Sequence, residues 1–282
     1  MNRFELRVGS PEYPRQLEET PDPPPVLYGI GDPSQLTPPG LAVIGARRAT
    51  PYGLRSATMF ASWAAGSGVT IVSGAALGCD LAAHRAALDA GGSTVAVLGC
   101  GADLDYPVRA SALLSRVRAS CVVVSELPWG TQPKRWTFAR RNRIIAGLSR
   151  GVLIVEASLP SGTFSTADRA LEAGREVYAV PGSIFASECR GPNRLIRQGA
   201  TPIADVSDLA QELGILVHPD SQGGGAEPCG DDVLRAALAD PSRPDDLAHA
   251  LGLPIVDVAR SLSRHERSGH LARYPDGRYG PG

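Results

Sequence analysis

One lysine, Lys134, stands among 28 basic residues; the other 27 are arginine, a bias of usage that carries no functional weight by itself. The 29 acids leave a formal net charge of −1, so the molecule is no polycation, and any affinity for a polyanion must come from a local patch. There is no signal-peptide pattern at MNRFELRVGSPEYP and no apolar run near the ~18–20 residues needed to span a bilayer, so neither export nor a membrane partner is expected and the cytoplasm is the expected location. The five cysteines, Cys79, Cys100, Cys121, Cys189 and Cys229, contain no CxxC pair. They read as reduced thiols of a cytosolic protein, and no metal site is expected. No GxGxxG follows the first core strand, where the chain reads GARRATPYG. A GxxxxGK[ST] loop is also absent, because its lysine could only be Lys134, which follows Thr-Gln-Pro and precedes Arg-Trp. Dinucleotide redox chemistry and P-loop hydrolysis therefore lack their usual signatures, and no cofactor is expected.

What the chain does have is the composition of an ordinary globular protein: 282 residues, 43% hydrophobic and 20% charged, enough for one large α/β domain and a small one. Residues 1–40 are Pro-rich (PEYP, PDPPPVLYGIGDP, TPPG) and read as an irregular extension packed on the core. From Leu41 short apolar runs alternate with helical stretches: LAVIG (41–45), VTIVSG (69–74), STVAVLG (93–99), SCVVVSE (120–126), GVLIVEA (151–157) and REVYAVPG (175–182). Continuous apolar strands between helices predict a sheet covered on both faces. Right-handed crossovers then give a Rossmann-like, doubly wound, mainly parallel α/β domain over 41–218. Residues 219–230, PDSQGGGAEPCG, read as a linker. Three short amphipathic helices and a YPDGRYG turn over 231–282 predict a small C-terminal winged-helix domain. It carries seven arginines against eight acids, so duplex binding and protein contact are equal options.

Between Glu126 and Glu156 there is no acid and there are six bases: Lys134, Arg135, Arg140, Arg141, Arg143 and Arg150. Trp129, Trp136 and Phe138 lie among them. Guanidinium forks suit phosphate oxygens and aromatic faces suit bases, which fits a single-stranded nucleic acid. The plainer reading is a solvated basic surface. The run also flows into apolar NRIIAGLSRGVLIV, so part of it must sit against the core. Four small-residue junctions end predicted strands: Gly45-Ala46-Arg47, Ser73-Gly74-Ala75-Ala76, Gly99-Cys100-Gly101 and Ser161-Gly162-Thr163. In open α/β sheets ligands bind beyond these strand ends, where backbone amides and helix N-termini favour anions. Asp80 and His84, in a predicted helix, read as a helix cap or other structural groups rather than an acid–base pair. Glu126 and Glu156 read as ion-pair partners for Arg141 or Arg143.

In order, EYPRQL, PPPVLYGIGD, VIGARRATPYG, VSGAALGCDLAAHRAAL, TVAVLGCGADLDYP, VVSELPWG, FARRNRIIAGLS, VEASLPSGTFSTADRALEAGREVYAVPGS and GPNRLIRQGA resemble the DNA-processing protein A (DprA/Smf) family over roughly residues 10–215. The resemblance implies a core that binds single-stranded DNA and loads a RecA-type recombinase onto it in natural transformation, as a homodimer without substrate turnover. In the family a Gly-Ser/Thr-Arg turn touches DNA; here it is Gly45-Ala46-Arg47, with the hydroxyl missing. A basic residue three positions before a phenylalanine also contacts DNA, here Arg135 and Phe138, and Arg141, Asn142 and Arg143 match an RNR motif. Some members carry a further N-terminal helical domain, for which this chain begins too close to the core.

Together these readings predict a DNA-binding set of Gly45, Arg47, Arg48, Gly74, Arg135, Phe138, Arg140, Arg141, Asn142, Arg143, Ser161, Gly162, Thr163 and Thr166. Phosphates would lie near the Gly45 and Gly74 turns and the Ser161–Thr166 helix start, with Phe138 stacked on a base. For Arg143 a buried ion pair with Glu126 or Glu156 stands as the alternative. Ile203, Leu209, Leu213 and Ile215 are a candidate dimer surface, or else a helix packed on its own core. The competing function is a nucleotide phosphoribohydrolase on the same type of core. Such enzymes place Thr and Glu after the glycine-rich turn, whereas SGTFSTAD offers Thr166 and Asp168.

Overall fold

The structure is a computed structural model that describes residues 2–215 and 232–281. Its contacts divide the chain into two compact units. The predicted linker, 219–230, and Cys229 with it, lies outside the described residues.

The first unit runs β1 (Arg3–Arg7), α1 (Arg15–Glu18), β2 (Val26–Gly31), β3 (Gly40–Ile44), α2 (Pro51–Gly66), β4 (Ile71–Ser73), α3 (Cys79–Asp89), β5 (Thr94–Val97) and α4 (Ser111–Ser120). It continues with β6 (Val122–Ser125), α5 (Arg135–Gly147), β7 (Ser149–Ile154), α6 (Thr163–Glu172), β8 (Glu176–Ala179), α7 (Arg190–Arg197), β9 (Thr201–Pro202) and α8 (Val206–Leu213). The nine strands form one sheet in the order β1-β2-β6-β5-β4-β3-β7-β8-β9. From β6 to β9 every neighbour pair is parallel. The chain walks from β3 out to β6, returns through α5 to β7 on the other side of β3, and walks outward again. This reversal makes the β3/β7 boundary the topological switch point, where doubly wound sheets hold their ligands.

Alternate residues of the central strands feed two cores, as strand pleating requires. Ala42 and Ile44 of β3 pack with Val95, Val97, Ile144, Ile145 and Ala167 beneath α5 and α6. Leu41 and Val43 pack with Phe60, Ala61, Ala83 and Leu209 beneath α2, α3 and α8. Helix α2 starts where Thr50 accepts a hydrogen bond from the Gly53 N–H and Pro51 occupies the first turn, which needs no amide donor there.

The first 40 residues are more regular than their prolines suggest. β1 and β2 pair antiparallel with each other, and β2 pairs antiparallel with β6, extending the sheet by two strands. The prolines cluster between and after these strands, where no ladder donor is lost, and Tyr13, Leu17, Leu27 and Leu36 of this segment belong to the main core. The candidate dimer surface is also corrected. Ile203, Leu209 and Leu213 are buried in the core under α8, and Ile215 packs against it, so they form no free apolar face.

The second unit consists of α9 (Asp232–Ala239), α10 (Pro244–Leu251), α11 (Ile255–Arg267) and a hairpin of β10 (Ala272–Arg273) and β11 (Tyr279–Gly280). Leu234, Leu247, Val258, Leu262, Leu271 and Tyr279 form its separate small core.

Candidate nucleic-acid interface

The loops after β3, β4, β5 and β7 and the N-terminal half of α5 meet at the carboxyl ends of the parallel strands. Arg141 organises them. It is 5% exposed, and its Nη1 donates to the carbonyl oxygens of Gly74 (2.6 Å) and Val97. One guanidinium thereby ties α5 to the ends of β4 and β5. A Cβ on Gly74 would lie 2.4 Å from Arg141 Nη1, so that turn must be glycine for the arginine to enter. The next residue, Ala75, is held at φ 56°, a conformation costly for a side chain. Asp80 fixes it by accepting the N–H groups of Gly74 (3.1 Å) and Ala76 (3.3 Å). Asp80 therefore pins the β4 loop and does not cap α3, whose N-cap Gly78 has no side-chain partner. Burial raises the Asp80 pKa, with Arg141 opposing that shift, while burial brings Arg141 down to about 10, still a cation at neutral pH.

Three residues along from the α5 start, Phe138 lies over Gly99 so closely that a Cβ there would meet its ring at 2.8 Å. The Phe138 ring is 5.4 Å from that of Tyr106, and the Arg47 guanidinium sits 5.8 Å from its centroid. The Thr137 hydroxyl donates to the Gly99 carbonyl (2.5 Å) and anchors this first turn. The result is a half-exposed aromatic platform at the strand ends with exposed Arg47 beside it; Arg48, next in the β3 turn, and Arg135 and Arg140 of α5 are exposed as well. Tyr106 was missed by the sequence reading; its position in DLDYP, just beyond an apolar strand, is the signal that could have found it.

Arg143 takes its alternative role. It is 7% exposed, its Nη2 contacts Glu126 Oε2 at 2.6 Å, and its Nε lies 3.0 Å from Asp22 Oδ2. Arg140 shares the same Glu126 oxygen at 3.0 Å. Burial raises the Glu126 pKa and the two arginines counter it. Glu156 pairs with neither Arg141 nor Arg143. Its carboxylate is buried at the start of α2, where it accepts the Thr50 N–H (2.9 Å) and hydroxyl (2.5 Å). Trp129, too, leaves the basic run: it donates to Glu5 Oε1 (3.0 Å) and stacks edge-on with Tyr28 at the antiparallel edge of the sheet.

Gly45 and Asn142 are half-buried, Gly74 is buried, and the α6 start is mixed: Thr163 and Thr166 are buried while Gly162 is exposed. Ser161 Oγ accepts the Thr163 N–H at 3.2 Å. Two surface concavities, of about 320 and 440 Å³, lie elsewhere, and none of the platform residues lines them.

His84 is buried against Thr94. Thr94 donates its hydroxyl proton to the Ile71 carbonyl, so it must accept from His84 Nδ1–H (2.7 Å). That leaves Nε2 as a buried lone pair without a partner. Burial lowers the His84 pKa to about 3 from 6.5. Because the unfolded chain takes this proton first, the stability contributed by neutral His84 is complete above pH 6.5 and is lost as pH falls toward 3. Asp80 and Glu126, with raised pKa values, act in the opposite sense. The difference between wild type and His84→Gln isolates the histidine: urea midpoints at pH 7 and pH 5 should show wild type losing stability relative to the variant by up to about 1.4 kcal/mol per pH unit.

A sequence profile of the DNA recombination-mediator protein A family matches residues 5–214. The chain belongs to this family. Protein Smf of Escherichia coli K12 is 39% identical over 98% of this chain and 77% of its own length. The structure of DNA processing protein A from Streptococcus pneumoniae superposes with a TM-score of 0.71 at 37% identity, covering 77% of this chain and 76% of that one. The Helicobacter pylori DNA processing protein A, solved for its single-stranded DNA binding mode, gives 0.68 at 31% identity over 76% of this chain and 96% of that one. The mainly parallel sheet with helices on both faces is the architecture of these family structures. No helix among the described residues is long and apolar enough to cross a membrane.

Proposed function

We propose that this chain binds single-stranded DNA along the carboxyl ends of its parallel strands and loads a RecA-type recombinase onto it, as a cytoplasmic, non-catalytic homodimer acting in natural transformation or homologous recombination. The observation that carries this reading is the platform: Phe138 seated on Gly99, braced by Tyr106, with Arg47 over its ring. A ring held this way offers a π-face to a base, and the exposed Arg47, Arg48, Arg135 and Arg140 offer forks to the flanking phosphates. The Gly45 turn, Asn142 and the Ser161–Thr166 helix start extend the same rim. Arg141 and Arg143 serve it from behind, by fixing α5 against the strand-end loops. The missing hydroxyl at Ala46 leaves the β3 turn with its amides and Arg47 alone.

The second unit, three helices and a hairpin, fits a winged-helix module, which would contact duplex DNA or a protein partner.

Stacking needs splayed bases, which a duplex hides. Fluorescence anisotropy with labelled oligo-dT and a matched duplex should therefore show single-strand preference, weak dependence on base sequence, and affinity that falls steeply with salt. Equal affinity for both forms would overturn the stacking role of Phe138. Recombinase loading is tested by filament nucleation on the same oligomers, which the protein should accelerate.

A further inference from the structure

Two of the three tryptophans are accounted for: Trp63 is buried in the core under α2, and Trp129 stacks on Tyr28 and donates to Glu5. Trp136, in the first turn of α5, is 53% exposed. Among the described residues its ring meets no other ring and no cation, and its indole N–H has no hydrogen-bond partner. A lone exposed apolar side chain is ordinary on a protein surface, but an indole carries a large apolar face and a donor that a packed position would use.

The helix gives this ring a use. Successive residues of an α-helix are turned by about 100°. With Arg135 pointing outward, Thr137 and Arg141 fall on the far side, and both are buried. Phe138 then stands about 60° to one side of Arg135 and Trp136 about 100° to the other. Around the first turn of α5 the order is therefore aromatic, exposed guanidinium, aromatic. That order repeats the base, phosphate, base alternation of a nucleic-acid strand. Arg140 lies about 40° beyond Trp136 on the same flank. Its Nε bonds Glu126 at 3.0 Å while its side chain stays half exposed. Along the chain no acid stands between residues 127 and 155 to repel a phosphate. A protein covering this ring would have to bring acids for Lys134 and Arg135, both exposed, whereas a strand already held at Phe138 brings its own phosphates.

We infer that Trp136 is a second stacking position: a single strand bound at Phe138 crosses the first turn of α5, sets a phosphate on Arg135 and stacks a further base on the indole. This rests on the single-strand reading above. The test uses Trp136→Ala and Trp136→Phe, changes at an exposed side chain outside every hydrophobic core among the described residues. Binding is followed by anisotropy and by intrinsic tryptophan emission, on dT12 and on an abasic oligomer of the same length. On dT12, Trp136→Ala should bind about fivefold or more weakly and Trp136→Phe within about threefold of wild type, since a smaller ring still stacks. On the abasic oligomer wild type and Trp136→Ala should bind alike, because no base is left to stack. Bound dT12 should quench the emission of wild type and quench that of Trp136→Phe much less. Wild-type dT12 affinity in Trp136→Ala, or an undiminished quench in Trp136→Phe, would overturn the second stacking position. An equal loss on dT12 and the abasic oligomer would do the same, by assigning the effect to the folding of α5. So would unchanged DNA binding with impaired recombinase loading, which would give this ring to a protein. A loss in Phe138→Ala with none in Trp136→Ala would leave the platform standing and remove only this inference. If wild-type protein failed to bind dT12, the single-strand reading itself would fall, and this inference with it.

Discussion

Replacing Arg141 by methionine should cost about 3–5 kcal/mol of stability, the range for removing one partner of a buried charged network. The side chain is 5% exposed and satisfies the carbonyls of Gly74 and Val97 from one nitrogen. Methionine fills much of the volume but leaves both carbonyls without a donor, and a buried unsatisfied acceptor costs about 1–3 kcal/mol. It also removes the positive charge that opposes the raised pKa of Asp80, which holds Ala75 at its positive φ. In a unit of this size the melting temperature should fall by roughly 6–20 °C. Arg141→Lys keeps the charge but loses the planar fork and should fall between. Wild-type melting of Arg141→Met would show that the contact organises nothing. The variant's DNA affinity should drop only through disorder of the β4 and β5 loops, so stability and affinity must be measured on the same preparation.

Phe138→Ala should have the largest effect on DNA binding with the least effect on folding. Stacking on an aromatic is worth about 1–3 kcal/mol per base, which corresponds to roughly 5- to 150-fold in oligo-dT affinity. Phe138 is half-buried and belongs to no hydrophobic core among the described residues, so the melting temperature should move little. Phe138→Trp should retain binding. Arg47→Ala should weaken binding to every sequence alike and lower the salt slope by about 0.7, one phosphate's share on a single strand. A Phe138→Ala protein with wild-type affinity and intact Arg47 dependence would leave phosphate contacts as the whole interaction and remove the stacking role.

The sheet was legible because buried parallel strands announce themselves: LAVIG, STVAVLG and GVLIV are continuous apolar runs containing β-branched residues, and each core strand from β3 to β8 overlaps a run read from the sequence, β3 and β7 starting one and two residues earlier. β1 and β2 were not legible, since RFELR mixes charged and apolar residues at the sheet's edge and VLYGIG directly follows a proline cluster that reads as loop. In the basic run, sequence showed which residues are cationic but not which way they point. Helical spacing places Arg140 outward and turns Arg141 and Arg143 inward, and only the folded neighbours Gly74, Val97 and Glu126 reveal what those two bind. Trp129 was misplaced for a related reason: it is close to the arginines along the chain but packs on Tyr28 of a strand about 100 residues earlier.

Hydrogen–deuterium exchange with and without bound oligo-dT tests the central claim most directly. Protection is expected in the 45–50 turn, in 99–106, in 134–140 and at the 161–166 helix start, with the amides behind Arg141 unchanged. Protection confined to other surfaces, with the Arg47 and Phe138 segments exchanging as in the free protein, would contradict the placement of the strand on this rim.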